Sequence, residues 1–422
     1  MQERAWNTVR ILLVISLLAF TALAAFVAGF GVSTLVSTRL VPSPQPTPTA
    51  PLPTAIPPTP PTVLPTPSSP AEETFQLFWE VWDILQREYY GDLPDMQRVT
   101  YGAIRGMLDT LGDEYTSFIE PDIAAILNED ASGTFQGIGA FVHMREDGKL
   151  EIVSVIANSP AEGAGLWDGD RVLAVDGQSI VGVGIYEAIA LIRGPAGTPV
   201  TLLIERPGEE EPFEVTLIRA RIEIPLAKAE MLEGNILHIR LTEFSATATS
   251  QMEEALDELL ALEPAGVILD LRDNPGGWLD QAVSVADLFL DEGVVLIERV
   301  SDGSEKTYRT HDGGPVETLP LVVLVNEGSA SASEIVAGAI QARGRGVLIG
   351  ETTFGKGSVQ RPYRLSDGSE LRVTVARWFT PSDVAIHGQG LTPDIEVPLP
   401  EDLEPGEDPQ LDRAVEYLLT GE

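Results

Sequence analysis

The serine-rich segment 326–334 is the first place in the chain where residue type and spacing suggest chemistry. It follows the apolar run Leu321–Val325 and leads into a pattern of helical periodicity, so it predicts a turn between a strand and a helix. In open α/β folds, reacting groups gather at such turns, where a helix N-terminus offers N–H groups and a positive dipole. Ser331 is therefore a candidate nucleophile. Its spacing to Glu334 also fits a capping box, in which the serine only begins the helix.

A serine hydroxyl needs an adjacent base, and this chain offers a lysine where a histidine is usual. The four histidines, at positions 143, 238, 311 and 387, lie in no recognisable motif. Lys356 lies in the glycine-flanked turn 350–360, directly after the apolar run Val347–Ile349. A lysine removes a serine proton at neutral pH only if burial lowers its pKa. Serine–lysine pairs are a known variant of the serine–histidine arrangement.

The turn around Lys356 also nearly matches a phosphate-binding loop, Gly-x-x-x-x-Gly-Lys. Gly357 stands where such a loop has the serine or threonine that holds magnesium, and residues 359–365 have the pattern of a strand containing proline. A phosphate-binding loop leads into a helix, so nucleotide binding is the weaker interpretation of this turn.

A third segment, 267–278, predicts a buried strand that ends in a Pro-Gly-Gly turn before another helix. Acyl transfer needs hydrogen-bond donors aimed at the developing oxyanion, and backbone N–H groups at a strand end supply them. Taken alone, the same pattern also fits an ordinary turn between a strand and a helix.

Together the three segments resemble the catalytic domain of the carboxy-terminal processing peptidases, the S41-type serine proteases with a PDZ domain also called tail-specific proteases. Their Ser-Ala-Ser-Glu, Thr-Phe-Gly-Lys-Gly and Arg-x-Asn-Pro-Gly-Gly motifs all occur here. The resemblance implies that Ser331 is the nucleophile, that Lys356 is the general base and that Gln360 orients the lysine. It implies no metal and no organic cofactor.

The resemblance also implies an oxyanion hole made by two backbone N–H groups. One belongs to Ala332, which follows the nucleophile. The other belongs to Gly277, with Gly276 as the alternative, because spacing does not decide between the two glycines.

Residues 132–220 have the short apolar runs and glycine punctuation of a β domain and resemble a PDZ domain. The matching motifs are 136–140, 158–161 and 169–177. The resemblance implies that a peptide C-terminus binds here by adding a strand, with its carboxylate on the backbone N–H groups of one loop. That loop comprises Gly137, Ile138, Gly139 and Ala140.

The elements that position these residues predict a multidomain α/β protein. We expect a helical segment at 71–131, a PDZ domain at 132–220, a crotonase-like α/β catalytic core at 221–398 and an acidic C-terminal tail at 399–422. In the core, strand-like runs alternate with helical stretches, which is typical of α/β folds.

The N-terminus predicts a membrane anchor. Residues 11–36 carry no charged side chain and are long enough to cross a bilayer as a helix. Arg4 and Arg10 favour a cytoplasmic tail at 1–10, which leaves the catalytic domain on the other side of the cell membrane. Residues 37–70 form a Pro/Thr-rich linker. A cleaved signal peptide is the alternative.

Composition narrows the function further. The 422 residues include 64 acidic and 27 basic side chains, for a formal charge of −37, so binding of nucleic acid is not expected. The absence of cysteine excludes disulfides and thiolate metal sites. We therefore expect a membrane-anchored serine endopeptidase that acts on unfolded or C-terminally exposed proteins at or near their C-termini, as a possible homodimer or higher oligomer. The alternative is a non-enzymatic PDZ adaptor or scaffold.

Overall fold

The computed structural model describes residues 70–400, 403–404 and 406–422. The helices of the described part are α1 (Pro70–Glu88), α2 (Met96–Asp109), α3 (Pro121–Ala131), α4 (Pro160–Gly163), α5 (Ile185–Ile192), α6 (Ala248–Leu260), α7 (Leu279–Phe289), α8 (Ala332–Ala342) and α9 (Pro409–Thr420). The strands are β1 (Ser117–Ile119), β2 (Thr134–Gly137), β3 (Ala140–Met144), β4 (Leu150–Val155), β5 (Arg171–Val175), β6 (Gln178–Ser179), β7 (Pro199–Glu205), β8 (Phe213–Ile218), β9 (Ala220–Glu223), β10 (Ala227–Leu232), β11 (Ile236–Leu241), β12 (Gly266–Asp270), β13 (Gly293–Val300), β14 (Glu305–Thr310), β15 (Leu321–Val325), β16 (Val347–Gly350), β17 (Ser358–Arg364), β18 (Glu370–Phe379) and β19 (Ile395–Glu396).

The described residues up to 103 form one compact unit, and residues 104–422 form another. Helix α1 has the expected helical spacing of aromatic side chains, and the rings of Phe75 and Phe78 stack with their centroids 5.3 Å apart. Many apolar side chains of this helix remain exposed, including Trp79.

The second unit is built on a six-stranded sheet in the order β10-β11-β12-β15-β16-β19, which is parallel from β11 onward. Every residue of β12 and β15 is buried, as expected for parallel strands covered on both faces. Alternate residues of β12 pack into different hydrophobic cores. Val267 and Leu269 pack with residues of α6, α7 and α8, whereas Ile268 packs with Ala414 of α9.

A second sheet, in the order β1-β18-β13-β14 with β17 also paired to β18, is antiparallel throughout. The turn that carries Lys356 leaves the first sheet at the end of β16 and enters the second sheet at β17. The predicted base therefore lies where the chain passes from one sheet to the other.

Residues 140–218 form a third sheet in the order β3-β4-β5-β7-β8, with β6 paired to β5 and a core of its own around Leu150, Val172 and Leu202. Strands β2 and β9 pair with each other where the chain enters and leaves this domain. The described residues therefore form a mixed α/β fold with a separate β domain, as predicted for these two parts of the chain.

The segment 399–422, predicted as an acidic tail, contains a helix that is part of the fold. Ala414 of α9 is fully buried, and Asp408 accepts a hydrogen bond of 2.7 Å from Arg272 at the end of β12. The apolar stripe of α9 covers one face of the parallel sheet, so this segment belongs structurally to the core.

The predicted tail 1–10, the span 11–36 and all of the linker except Pro70 lie outside the described residues. Within the described ranges, no helix is both long and apolar enough to cross a membrane.

Candidate active site

Ser331 lies at the sharp turn between β15 and α8, as its sequence predicts. It is the N-cap residue of α8 and has a φ of 55° and a ψ of −110°, a conformation that non-glycine residues rarely adopt. The side chain is largely buried. Such strain persists only where the surroundings fix it, and a strained serine between a strand and a helix is a recurrent way to present a nucleophile.

The turn is held by the loop that follows β12. The N–H of Ala330 and the hydroxyl of Ser333 both donate to the carbonyl oxygen of Asn274, at 3.0 and 2.8 Å. The hydroxyl of Ser329 donates to the carbonyl oxygen of Leu271 at 2.7 Å. The serines on either side of Ser331 therefore hold the backbone in place.

Glu334 joins the nucleophile turn to the base turn. Its Oε2 accepts hydrogen bonds from the N–H groups of Ser331 at 2.8 Å and Lys356 at 2.9 Å. Its Oε1 accepts from the Thr353 hydroxyl at 2.5 Å and the Gly355 N–H at 2.7 Å. Burial raises the pKa of this carboxyl, while the four hydrogen bonds oppose that rise. The glutamate half of the expected capping box is thus present, and the same side chain also fixes the turn of the proposed base.

Lys356 is fully buried, and burial lowers the pKa of its ammonium group from 10.5 to about 7. The nearby Arg372 acts in the same direction, whereas the negative charge of Glu334 opposes it. The main chain at Lys356 is fixed, since its carbonyl oxygen accepts a 3.1 Å hydrogen bond from the indole N–H of Trp378. The Nζ atom lies 5.3 Å from the ring centre of Tyr115. A buried lysine that loses its proton near neutral pH has the property that a general base requires.

The side chains of the predicted dyad lie in one buried region but are not hydrogen-bonded to each other. Within the described part of the chain, Lys356 Nζ and Gln360 Oε1 make no hydrogen bond. The amide nitrogen of Gln360 donates to the hydroxyls of Ser358 at 2.9 Å and Thr374 at 3.3 Å. Catalytic hydrogen bonds often tighten only when substrate binds. In this conformation the lysine therefore has not yet engaged the serine.

Hydrogen bonding distinguishes the two glycines that were candidates for the oxyanion hole. The N–H of Gly276 donates to Oδ1 of Asn274 at 2.9 Å. The N–H groups of Gly277 and Ala332 have no acceptor among the described residues. Gly276 lies against the nucleophile turn, because a Cβ added there would come within 2.8 Å of the Cβ of Ser331. These bonds favour Gly277 and Ala332 as the two donors.

Comparison with known proteins gives matches to both parts of the second unit. The Peptidase family S41 model matches residues 235–397, and a PDZ domain model matches residues 151–206. Carboxy-terminal processing protease CtpA of Bacillus subtilis is 38% identical over 335 residues, which cover 79% of this chain and 71% of that protein. The carboxyl-terminal-processing protease of Synechocystis is 40% identical over 341 residues, which cover 78% of each.

This chain belongs to the carboxy-terminal processing protease family. It is therefore a serine-type peptidase that carries a PDZ domain, and the adaptor alternative is not favoured. A solved S41 protease structure from Bacteroides fragilis shares the fold, with a TM-score of 0.50 at 18% identity over 80% of this chain and 96% of that one.

The PDZ domain of this protease has an apolar groove beside the loop predicted to bind a peptide C-terminus. An apolar cavity of about 250 Å³ lies between the loop 137–140, strand β3 and helix α5, and its lining includes Phe141 and Ile189. The N–H groups of Ile138 and Gly139 have no acceptor among the described residues. Gly139 has a φ of 84°, and a Cβ there would come within 2.3 Å of the Cβ of Ser159. The loop therefore offers free donors at one end of an apolar groove.

Sequence reasoning missed two features of this buried region. It assigned Glu334 only a capping role, although the side chain also binds the base turn; the three-residue spacing from Ser331 was the available signal. It assigned no role to Arg372, since nothing in the sequence marks an arginine in a strand as buried. Within the described residues, no cluster of histidine and carboxylate side chains is arranged to hold a metal ion.

Proposed function

We propose that this protease cleaves exported polypeptides at or near their C-termini with a Ser331–Lys356 dyad, and that its PDZ domain recognises the substrate's terminus. One observation carries the proposal. Lys356 is fully buried with a pKa of about 7, and its turn is bonded through Glu334 to the turn that presents Ser331.

The chemistry follows from this arrangement. The uncharged amine of Lys356 takes the hydroxyl proton as Ser331 Oγ bonds to the carbonyl carbon of the substrate. The N–H groups of Gly277 and Ala332 stabilise the resulting oxyanion. The lysine ammonium then gives its proton to the leaving amine as the peptide bond breaks. Water, deprotonated by the same amine, releases the acyl group from the serine.

Gln360 has a defined part in this scheme. Its Oε1 is buried without a partner in the described structure, so it is available to accept a hydrogen bond from Lys356 Nζ. A movement of the lysine that brought Nζ within hydrogen-bond distance of Oε1 would satisfy both buried atoms. The cost of leaving both atoms without partners favours this movement.

Recognition of the terminus is supported by the groove between β3 and α5. A peptide added along β3 would extend the sheet, and its carboxylate would meet the free N–H groups of Ile138 and Gly139. Gly137 and Ala140 complete the loop.

The N-terminal sequence supports a membrane anchor and an extracytoplasmic catalytic domain, as argued from residues 11–36. Fractionation of cells that express the full chain tests this part. Recovery in the membrane fraction after a carbonate wash is expected, whereas release of a shortened chain would indicate cleavage. A homodimer or higher oligomer is a further prediction, which sedimentation of the purified chain would measure.

The decisive experiment is cleavage of an unfolded protein with an apolar C-terminus by the full chain in detergent. We expect the wild type to cleave it and Ser331→Ala and Lys356→Ala to be inactive while retaining native circular dichroism. Ser304→Ala, which changes an exposed turn, is the matched control and should remain active. Equal turnover in all variants would exclude the dyad, and an inert wild type would favour the adaptor.

A further inference from the structure

A cavity of about 580 Å³ lies between α3 and the strands β17 and β18. Trp278, which directly follows the oxyanion loop, lines it. Small residues of α3, including Ala124 and Ala125, line the opposite side. We call this space the arginine cavity, because Arg364 and Arg372 also line it.

The register of β17 and β18 connects this cavity to the catalytic residues. Gln360 pairs with Thr374, and the next pair on the same face joins Pro362 to Arg372. Successive pairs on one face are about 7 Å apart, so Arg372 lies one step from Gln360 along the sheet. Trp278, the residue after Gly277, lines the same cavity as Arg372, so a polypeptide held at Gly277 would reach this cavity within a few residues.

Arg372 is a buried cation whose hydrogen-bonding capacity is mostly unused. The side chain is 1% exposed, and its Nε donates to Glu370 Oε1 at 2.6 Å. The Nη1 and Nη2 atoms are buried and make no hydrogen bond within the described part of the chain. Glu370 is itself engaged by Asn128, whose amide donates to Oε2 at 3.0 Å. Two parallel guanidinium donors are suited to a carboxylate.

The charge of the cavity is opposite to that of the protein. Acidic residues outnumber basic ones 64 to 27 in the whole chain, yet the cavity is lined by two arginines and one glutamate. Arg364 is exposed at its edge and forms no ion pair with a described residue. A net positive pocket in so acidic a protein favours an anionic ligand.

We propose that the arginine cavity is a substrate subsite in which Arg372, with help from Arg364, binds a carboxylate of the polypeptide. The carboxylate belongs either to an aspartate or glutamate side chain near the cleaved bond or to the C-terminus of the bound chain. This proposal rests on the proposed function, since it assigns the ligand to the same active site.

The test measures binding, so that it does not depend on turnover. The full chain carrying Ser331→Ala is titrated with fluorescein-labelled peptides in which one glutamate is moved stepwise through an uncharged sequence. Each peptide is matched by a glutamine version, and each version is made with a free and with an amidated C-terminus. Wild-type cleavage is measured separately, so a failure of the proposed function shows there and not in the titration.

If the carboxylate is a side chain, glutamate at one position should bind about tenfold more tightly than glutamine, as expected for a hydrogen bond to a charged group. If it is the C-terminus, amidation should weaken binding by a similar factor, and part of that loss should depend on Arg372. Comparing the effect of amidation in proteins with and without Arg372 removes the contribution of the PDZ loop, which is also proposed to bind a carboxylate.

Removal of Arg372 alone would leave Glu370 buried without its cation, so the variant is Arg372→Gln combined with Glu370→Gln. Arg364→Gln, at an exposed position, should reduce the same preference by a smaller factor without affecting folding. The matched control is Arg361→Gln, on the same strand but the opposite face, which should change neither preference. Equal affinities for glutamate and glutamine peptides, together with an amidation effect that does not depend on Arg372, would overturn the proposal.

Discussion

The active site and the PDZ groove use the same device, a glycine-containing loop with free backbone N–H groups, in two different settings. At the active site, the side chains of Asn274, Ser333 and Glu334 hold the loop backbones through buried hydrogen bonds. In the groove, the carbonyl oxygens of Ile138 and Gly139 accept main-chain bonds from the N–H groups of Ala161 at 2.8 Å and Ile156 at 3.0 Å, and the Ser159 hydroxyl adds one side-chain bond to Gly139 at 3.1 Å.

The difference reflects what each loop must do. An oxyanion exists only transiently, so its donors must be positioned before the reaction begins, and buried side chains provide that rigidity. A peptide terminus binds in its ground state and gains affinity from an added strand and an apolar groove, so modest adjustment is tolerated. Changes at the active site should therefore abolish activity, whereas changes in the groove should alter affinity by small factors.

The largest effect should come from Lys356→Met, which removes the base while keeping an unbranched apolar stem. We expect kcat/KM to fall by at least about 10⁴-fold, as when a member of a catalytic triad is removed. The same variant should be more stable than the wild type at pH 7, because burial of a charged lysine opposes folding.

The sign of the stability change follows from the two pKa values of the lysine. The folded pKa is about 7 and the model-compound value is 10.5, so between these the unfolded chain binds more protons and wild-type stability rises with pH. Lys356→Met should thus gain on the order of 4–5 kcal/mol at and below pH 7, and the gain should vanish above pH 10.5. Denaturant unfolding at pH 7 and pH 9 measures it, with Lys306→Met as an exposed control. An unchanged midpoint at pH 7 would mean that Lys356 is not charged and buried.

Glu334→Gln should have the next largest effect. An amide nitrogen cannot accept hydrogen bonds, so either the Ser331 and Lys356 N–H groups or the Thr353 and Gly355 donors would lose their acceptor. We expect kcat to fall by about 10–100-fold at similar KM. This fall corresponds to a loss of roughly 1.4–2.7 kcal/mol of transition-state stabilisation.

Steady-state kinetics at constant peptide sequence would measure the effect of Glu334→Gln. Glu351→Gln is its control, because that carboxylate lies near the same turn and makes no hydrogen bond to the described residues. A Glu334 variant with unchanged kcat would show that the connection between the two turns serves folding alone.

The pH dependence of cleavage by the wild type should differ from that of peptide binding to the groove, and this difference should be smaller than the effects of the two substitutions. Because Lys356 acts only when uncharged, kcat/KM should rise about tenfold per pH unit below the lysine pKa of about 7 and level off above pH 8. Binding of a C-terminal peptide to the groove should change much less over the same range, since backbone N–H groups do not titrate. It should weaken modestly above pH 8, because burial raises the pKa of Glu243, which lines the groove, to about 8, and the ionised carboxylate would repel the peptide terminus. Fixed-time cleavage assays would measure kcat/KM, and fluorescence anisotropy of a labelled peptide would measure binding, at the same pH values. A flat profile for cleavage from pH 6 to 8 would argue against lysine as the base.

The two regions also differ in what their sequence revealed. Ser331, Lys356 and the loop 137–140 could be predicted because catalysis and close backbone approach require particular residue types in short motifs. Spacing alone did not decide between Gly277, which was named, and its alternative Gly276, since the preference depends on the Asn274 side chain bonding the N–H of Gly276.

Contacts between segments far apart in the chain could not be predicted from the sequence either. Arg372 has no local signal, because its surroundings come from segments distant in sequence, as the 3.0 Å bond from Asn128 of α3 to its partner Glu370 shows. The segment 399–422 was predicted as an acidic tail, and the place of its helix on the parallel sheet was not predicted, since high acidity obscured the short apolar stripe that includes Ala414.

The smallest effect should come from the groove itself. Ile189 of α5 is half-buried and lines the apolar cavity, so Ile189→Ser should remove part of the surface that a C-terminal side chain covers. Loss of about 1 kcal/mol, or roughly fivefold in peptide affinity, is expected from partial burial of one aliphatic side chain. Ile218→Ser, an exposed position in the same domain, should leave the affinity unchanged. If Ile189→Ser lowered kcat instead of raising KM, the groove would be acting on the catalytic residues, and the division between rigid chemistry and adaptable recognition would not hold.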